Sequence, residues 1–307
     1  MVERVDSIWM DGEWVAWDQA SVHVLTHSLH YGLAVFEGIR CYAQEGGGTS
    51  AIFRLEDHVR RLFDSARIAT LAIPFAPEQV SEACRTVVRR NGLKEAYIRP
   101  LAFVGDGAMG LGARDNATRV CVAAWPWGTY LGEDALTRGI RAKVSSFQRP
   151  GVNALMSKGK ITGHYVNSVL AKREALAAGY DEAILLDSQG YVCEASGENI
   201  FVIRDNIVVT PPMGTSLLAG ITRDTVLQLL RELGLTVHER LLSRDELYIA
   251  DEIFMCGTAA EITPVRQVDE RDVGGGTRGP ITTQIQDVYF RAVRSPSGGH
   301  PEWLSEI

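Results

Sequence analysis

Residues 193–234, CEASGENIFVIRDNIVVTPPMGTSLLAGITRDTVLQLLRELG, carry two periodicities in succession. NIFVIR (199–204) and IVVT (207–210) are short runs rich in β-formers, and the Asp205-Asn206 pair between them predicts a tight hairpin. From Gly220 onward the pattern becomes helical, with Val226, Leu229, Leu230 and Leu233 on one face and Gly234 as the stop. Just upstream, DEAILLD (181–187) and YVCEA (191–195) flank Ser188-Gln189-Gly190 as a second hairpin. Strands and helices therefore alternate, which places the chain in the mixed α/β class.

The same reading extends outward in both directions. Ser243 and Glu246 form a capping box for a short helix ahead of the strand EIFMC (252–256). Residues 161–180 predict a helix ending at Gly179, while 274–280 and 295–299 read as surface loops. In the first third, Leu55, Val59, Leu62, Phe63 and Ala66 share a helical face, and so do Val80, Ala83, Cys84, Val87 and Val88. AYIRPLAFV (96–104) and RVCVAAW (119–125) read as strands. Pro, Gly and aromatic residues interrupt the pattern over 125–139. That stretch predicts a small N-terminal domain over 1–128, an interdomain loop over 129–139 and a large C-terminal domain over 140–307.

Composition narrows the functional classes. The chain has 307 residues, 46% of them hydrophobic and 22% charged, which excludes general disorder. Its 31 basic and 38 acidic residues leave a net charge of −7, unlike a nucleic-acid-binding or polybasic membrane surface. No apolar run approaches the ~18 residues of a membrane span, and the N-terminus is broken by charges. A soluble cytoplasmic protein with no nucleic-acid or membrane partner is expected. Five scattered cysteines without a CxxC spacing read as core residues. His23, His27 and His30 lack a carboxylate or thiol to complete a metal site, and VHVL around them alternates like a strand, so no metal is expected. Gly105, Gly107 and Gly110 spell the dinucleotide fingerprint, yet no helix follows, so a loop is expected rather than a nicotinamide site.

Three features remain that are not scaffold by type. MSKGKITGHY (156–165) sets Lys158 and Lys160 in a glycine-flanked loop before a helix, which by composition alone is a solvated basic loop. Thr222 stands where an N-cap belongs at a helix start suited to phosphate. Glu194 and Glu198 flank a small-residue turn, where solvated carboxylates are ordinary. A reactive lysine, a phosphate cup and a carboxylate are together the parts of a pyridoxal phosphate site, although spacing alone does not assign them.

The ordered series Glu194-x-Ser196-x-x-Asn199-Ile200-Phe201, Val208-x-Thr210 and Leu218-x-Gly220-Ile221-x-Arg223 resembles the signature of the class IV (fold type IV) pyridoxal phosphate aminotransferases. With HSLHYGLAVFEGIRCY (27–42), AYIRPLAFVGD (96–106), AWPWGTYLG (124–132) and FMCGTAAEITPV (254–265), the chain is most similar to the branched-chain amino acid aminotransferases. The resemblance implies a two-domain fold with the cofactor at the domain interface, and a homo-oligomer that is at least a dimer. It implies Lys160 as the Schiff-base lysine, since Lys160 and not Lys158 has the K-x-x-G-x-Y setting with Gly163 and Tyr165. Tyr165 would bond the cofactor's phenolate oxygen, and Glu194, not Glu198, its pyridine nitrogen. Leu218 also belongs to the implied cofactor set, and Arg61, Ile221, Thr222 and Thr258 would hold the phosphate. Periodicity alone turns Arg61 to solvent; the resemblance turns it to the cofactor. The implied substrate pocket comprises Phe36, Tyr97, Arg99, Trp127, Tyr130, Thr258 and Ala259, with Tyr31 supplied by a partner subunit. Trp125 reads as core filler. The expected reaction exchanges the amino group between branched-chain L-amino acids and 2-oxoglutarate, giving 2-oxo acids and L-glutamate. Alternatives are a D-amino acid or (R)-amine transaminase, an aminodeoxychorismate lyase, an NAD-linked dehydrogenase or a non-catalytic cofactor carrier. Ala219, where a proline is common, and the 105–116 loop depart from the family pattern.

Overall fold

The computed structural model describes residues 2–47, 49–128 and 132–307. Tyr130, expected in the substrate pocket, lies outside the described residues. The chain divides into two compact units, one of residues 1–128, 159–164 and 292–307 and the other of 129–158 and 165–291. The contiguous division expected from sequence had left 159–164 and 292–307 in the C-terminal domain; here they join the first unit.

The first unit contains β1 (Ser7–Met10), β2 (Glu13–Ala16), α1 (His27–Tyr31), β3 (Ala34–Phe36), β4 (Ile39–Ala43), β5 (Ser50–Phe53), α2 (Leu55–Ile68), α3 (Pro77–Arg90), β6 (Ala96–Val104) and β7 (Thr118–Trp125). Among the described residues they build an eight-stranded sheet in the order Leu304–Glu306, β5, β4, β6, β7, β1, β2, with β3 also paired to β6. The apolar faces of α2 and α3 pack with Ile39, Ile52, Ile98, Val120 and Val122 into one core. That packing is the physical reason for the helical spacing seen in sequence.

One edge of β6 pairs with β7 from Tyr97↔Trp125 to Val104↔Thr118. The other edge pairs with β4 over Ala96–Ile98 and with β3 over Leu101–Phe103. Pro100, which has no N–H to give, falls at the break between them. Opposite that break lie Glu37 and Gly38, and the Glu37 N–H donates to the Pro100 carbonyl at 2.9 Å. VHVL does not form the expected strand: residues 24–25 turn into α1, and buried His27 packs on Tyr31 with 4.5 Å between ring centroids. The glycine-rich 105–116 segment is a loop with no helix after it, tied together by the Asn116 side chain on the Ala108 backbone. The segment is thus the loop expected from sequence, and the helix start that the dinucleotide fingerprint requires is not formed there.

The second unit contains α4 (Glu133–Arg138), β8 (Ile140–Val144), α5 (Tyr165–Ala177), β9 (Glu182–Leu186), β10 (Val192–Ala195), β11 (Asn199–Arg204), β12 (Ile207–Thr210), α6 (Ile221–Glu232), β13 (Val237–Glu239), α7 (Arg244–Tyr248), β14 (Glu252–Gly257), β15 (Glu261–Val268) and β16 (Arg271–Asp272), and it holds most of α8 (Pro280–Arg294). The stretch 129–139, expected as loop, thus carries a short helix, which ends at Gly139. The sheet runs β10, β9, β8, β15, β14, β11, β12, β13, with β16 beside β15. Asp205 and Asn206 both adopt positive φ, 52° and 62°, as a two-residue hairpin with right-handed strand twist requires. The β9–β10 pairing shifts register at Cys193, between Val192 and Glu194. Such a bulge re-aims the side chain that follows it.

The start of α8 depends on one buried carboxylate. Glu252 accepts the N–H groups of Ile281 at 2.9 Å and Thr282 at 2.7 Å, and the Thr282 hydroxyl at 2.7 Å. A Cβ on Gly279 would lie 2.1 Å from the Glu252 Cδ, so only glycine lets that carboxylate approach. Glu252→Ala strands three buried donors and is expected to lower stability by about 3 kcal/mol or more. Thermal unfolding measures this. A variant that melts with the parent would show that water satisfies the helix start equally well.

Candidate active site

Within the first unit, the lysine loop is fixed through its backbone. The Lys160 N–H donates to Ser65 Oγ at 2.9 Å, and the Phe36 N–H donates to the Lys160 carbonyl at 3.2 Å. Ile161 bridges Val35, while the Gly163 N–H and the Thr162 hydroxyl donate to the Gly32 carbonyl at 2.9 and 2.7 Å. The Lys160 Nζ lies 5.0 Å from the centre of the Phe36 ring. Lys158, in the second unit, is not the solvated residue that composition suggests. Its ammonium donates to the Thr215 carbonyl at 2.9 Å and the Leu217 carbonyl at 2.8 Å, and burial pushes its pKa down.

Arg61 is not turned to solvent as periodicity alone implies. On α2, His58, Arg61 and Ser65 lie on one face, and His58 and Ser65 are 1% and 0% exposed. The helix therefore buries a polar face as well as its apolar one. Glu37, fully buried at the β3–β4 break, grips Arg61 side-on: Nε donates to Oε1 at 2.6 Å and Nη2 to Oε2 at 2.9 Å. The same Oε2 accepts from His58 Nδ1 at 2.7 Å and from the Gly38 N–H at 3.2 Å. Burial would raise the Glu37 pKa, but Arg61 and the hydrogen bonds outweigh it and hold the carboxyl far below its ordinary range. Burial pushes His58 down, so it is a neutral donor and Arg61 is the cation that matters to Glu37.

An aromatic group surrounds Arg99 in the same unit. Its Cζ lies 4.9 Å from the Phe36 ring centre, 5.3 Å from Tyr97 and 5.9 Å from Trp125. Trp127 packs on Tyr97 at 5.0 Å. Among the described residues no carboxylate pairs with Arg99, and its Nε is buried without a hydrogen-bond partner. Gly38 permits this arrangement, since a Cβ there would lie 1.8 Å from the Tyr97 hydroxyl. Trp125, read from sequence as filler, belongs to the group, and its buried Nε1 has no partner. Tyr31 on α1 is 41% exposed.

In the second unit, Glu194 is 6% exposed and fully engaged. Oε1 lies 3.0 Å from Arg149 Nη2, and Oε2 accepts from Asn199 Nδ2 at 3.3 Å and the Leu218 N–H at 3.1 Å. Arg149 and Asn199 also donate to the Ser216 and Leu218 carbonyls, so one network fixes the 216–218 strap and the carboxylate together. Thr222 is not the N-cap expected from sequence. Gly220 is, because its extended backbone (φ −69°, ψ 131°) precedes a helix that opens at Ile221. Ile221 and Thr222 are buried there, and Tyr165, Thr258 and Ala259 are half-buried. Glu198 is distinct from Glu194: its Oε2 accepts the Gly197 N–H at 3.1 Å. Burial, then the neighbouring Glu182, pushes its pKa up to about 8. Glu37, Gly38, His58, Trp125 and Arg149 had no motif to mark them as site residues, although Glu37 and Gly38 sit inside FEGIR.

The fold and these residues place the chain in a known class. The profile of the class IV amino-transferases matches residues 34–268, and the chain belongs to that family. It is 50% identical over 307 residues to the branched-chain-amino-acid aminotransferase of Pseudomonas aeruginosa, covering 100% of this chain and 99% of that one. The Escherichia coli branched-chain-amino-acid aminotransferase is 47% identical over 306 residues, covering 99% and 98%. Among solved structures, the T.th. branched-chain amino acid aminotransferase with pyridoxamine 5′-phosphate superposes with a TM-score of 0.94 at 48% identity, covering 99% of each chain.

The raised pKa of Glu198 has a thermodynamic sign. Its folded value of about 8 lies above the unfolded carboxyl value of ~4.3, so the folded state binds the proton more tightly. Stability from this group is complete below the unfolded value and is lost as pH rises through the folded one. Glu198→Gln, isosteric with the neutral acid, is expected to remove that decline and to exceed the parent in stability at pH above about 8. Melting curves across pH test it; parallel curves for both proteins would rule out a buried neutral acid at this position.

Proposed function

We propose that this protein is a pyridoxal phosphate-dependent aminotransferase that moves the amino group of branched-chain L-amino acids to 2-oxoglutarate. One observation carries the substrate reading: an aromatic wall with an embedded guanidinium, Arg99 among Phe36, Tyr97 and Trp125. An aliphatic side chain suits the rings, and the distal carboxylate of glutamate suits the cation.

The residues present fit the cofactor. Glu194 is a buried carboxylate fixed by Arg149, the right partner for a protonated pyridine nitrogen. α6 opens at Ile221 behind a glycine, and the N–H groups and positive dipole end of such a helix start suit a phosphate. When bound, the cofactor supplies a carbonyl carbon for the amino group and a ring that draws electrons from the substrate's α-carbon. Lys160 would be the residue that binds it covalently, and its free amine would move the proton of substrate Cα. Tyr165 would donate to the phenolate oxygen. Arg61, Ile221, Thr222 and Thr258 would hold the phosphate, and Leu218 would complete the cofactor set. Backbone N–H groups at Thr258 and Ala259 and the Tyr97 hydroxyl receive the substrate's α-carboxylate, while Phe36, Trp127 and Tyr130 bound its side chain.

We read the protein as a homo-oligomer, at least a dimer, in which Tyr31 serves a neighbouring copy; its exposure on α1 supports that role. The acidic balance of 38 against 31 supports a cytoplasmic enzyme without a nucleic-acid partner. Among the described residues, no helix is long and apolar enough to cross a membrane.

A panel of L- and D-amino acids and (R)-amines with 2-oxoglutarate tests the reading. Leucine, isoleucine and valine are expected to react in the L series with release of L-glutamate; preference for D-substrates or amines would move the protein elsewhere in the family. A finer test isolates Arg99. Without a cation, the distal carboxylate of glutamate is buried unpaired, so Arg99→Met is expected to slow the glutamate half-reaction about 100-fold. The leucine half-reaction should fall far less. Single-turnover absorbance separates the two, and equal losses would assign Arg99 to the shared α-carboxylate instead.

A further inference from the structure

Arg61 has four rotatable bonds and ordering its side chain costs up to ~2 kcal/mol, so a phosphate that had to collect it from solution would bind poorly. The first unit removes that freedom. Glu37 holds the guanidinium along its Nε–Nη2 edge with two bonds, which fixes the plane as well as the position. Glu37 is itself immobile: it is fully buried, its backbone N–H is bonded to Pro100, and its carboxylate accepts from His58 and Gly38. His58, one helical turn before Arg61, is 1% exposed and contributes a proton without a charge. Nothing else in the proposed mechanism employs either residue.

We infer that Glu37 and His58 are positioning residues for the cofactor: they hold the Arg61 guanidinium in the orientation that takes the phosphate. The inference rests on the reading that Arg61 contacts that phosphate. A buried Arg–Glu pair has no net charge, so Arg61 serves the phosphate through directed hydrogen bonds, which require fixed geometry. A network present only to satisfy its own buried polar groups would affect stability and leave phosphate recognition alone.

The experiment compares the affinity of the full-length protein, stripped of cofactor, for pyridoxal phosphate and for pyridoxal, which lacks the phosphate. Absorbance titrations give both constants, and melting of the unliganded protein reports folding. Glu37→Gln and His58→Gln are expected to reduce the preference for pyridoxal phosphate, Glu37→Gln by about tenfold. Affinity for pyridoxal should stay within about twofold. In an Arg61→Met background, Glu37→Gln should cause no further loss of preference, because the two residues act through one contact. Where Glu37→Gln does not fold, His58→Gln decides. An unchanged preference in the folded variants, alongside a collapse in Arg61→Met, would overturn the positioning role and leave Arg61 at the phosphate. An unchanged preference in Arg61→Met itself would overturn the phosphate reading and the inference together.

Discussion

The backbone of residues 159–164 is the constraint on which the first unit's chemistry depends. This segment is distant in sequence from the sheet it joins, and it is attached at Lys160 on both sides, by Ser65 Oγ to its N–H and by the Phe36 N–H to its carbonyl. The Ile161–Val35 bridge and the two bonds to the Gly32 carbonyl continue the attachment. Gly32 and Gly163 approach so closely that a Cβ on Gly32 would lie 3.0 Å from the Gly163 Cα. With its base fixed, Lys160 has only side-chain torsions left to place its amine. The strand that fixes it is the one whose next residue, Glu37, fixes Arg61. Lysine and arginine are therefore set by a common piece of scaffold, α2 supplying Ser65 and His58 and the β3–β4 break supplying Phe36 and Glu37.

Arg99 is energetically different from Arg61 and Arg149, each of which is paired with a buried carboxylate. Removing an ion from water costs several kcal/mol, and a ring face returns ~0.5–2 kcal/mol of it. Three rings near Arg99 offset part of that cost, and the buried Nε has no partner. The balance favours an incoming anion that also tolerates aromatic walls. On the proposed reading, that anion is the distal carboxylate of glutamate, and the rings are what an aliphatic side chain meets in its place.

The sequence was informative where the physics is local. Helical spacing located α2 and α3 because an apolar stripe must meet a core, and Asp205-Asn206 located its hairpin because few residues accept positive φ. It failed where tertiary contacts override such preferences. Thr222 looked like a cap, yet the helix starts one residue earlier and Gly220 supplies the backbone cap. VHVL alternates but has no strand neighbour to pair with. Arg61 looked solvated because the periodicity of one apolar stripe says nothing about a second, polar, buried face. Lys158 and Lys160 were told apart by family resemblance, and what holds the Lys158 ammonium, two carbonyl acceptors, is a contact across more than 50 residues. Arg149 gave no signal for the same reason.

The two units employ one electrostatic device with its polarity reversed. In the first, a buried carboxylate, Glu37, holds an arginine, Arg61; in the second, a buried arginine, Arg149, holds a carboxylate, Glu194. Each pair is neutral as a whole, which limits the cost of burying it, and each is braced by a further neutral donor, His58 in one and Asn199 in the other. Presenting one member of a neutral, hydrogen-bonded pair supplies orientation more than net charge. That is the quantity a site needs when the ligand's own charges are fixed and the reaction redistributes electrons between them, because oriented dipoles that are already in place need no reorganisation as the charge moves. A lone arginine or glutamate at either position would attract its ligand group more strongly from a distance and hold it less firmly on contact. The buried pairs therefore favour residence in one geometry over capture, and geometry is what proton transfer at a single carbon requires.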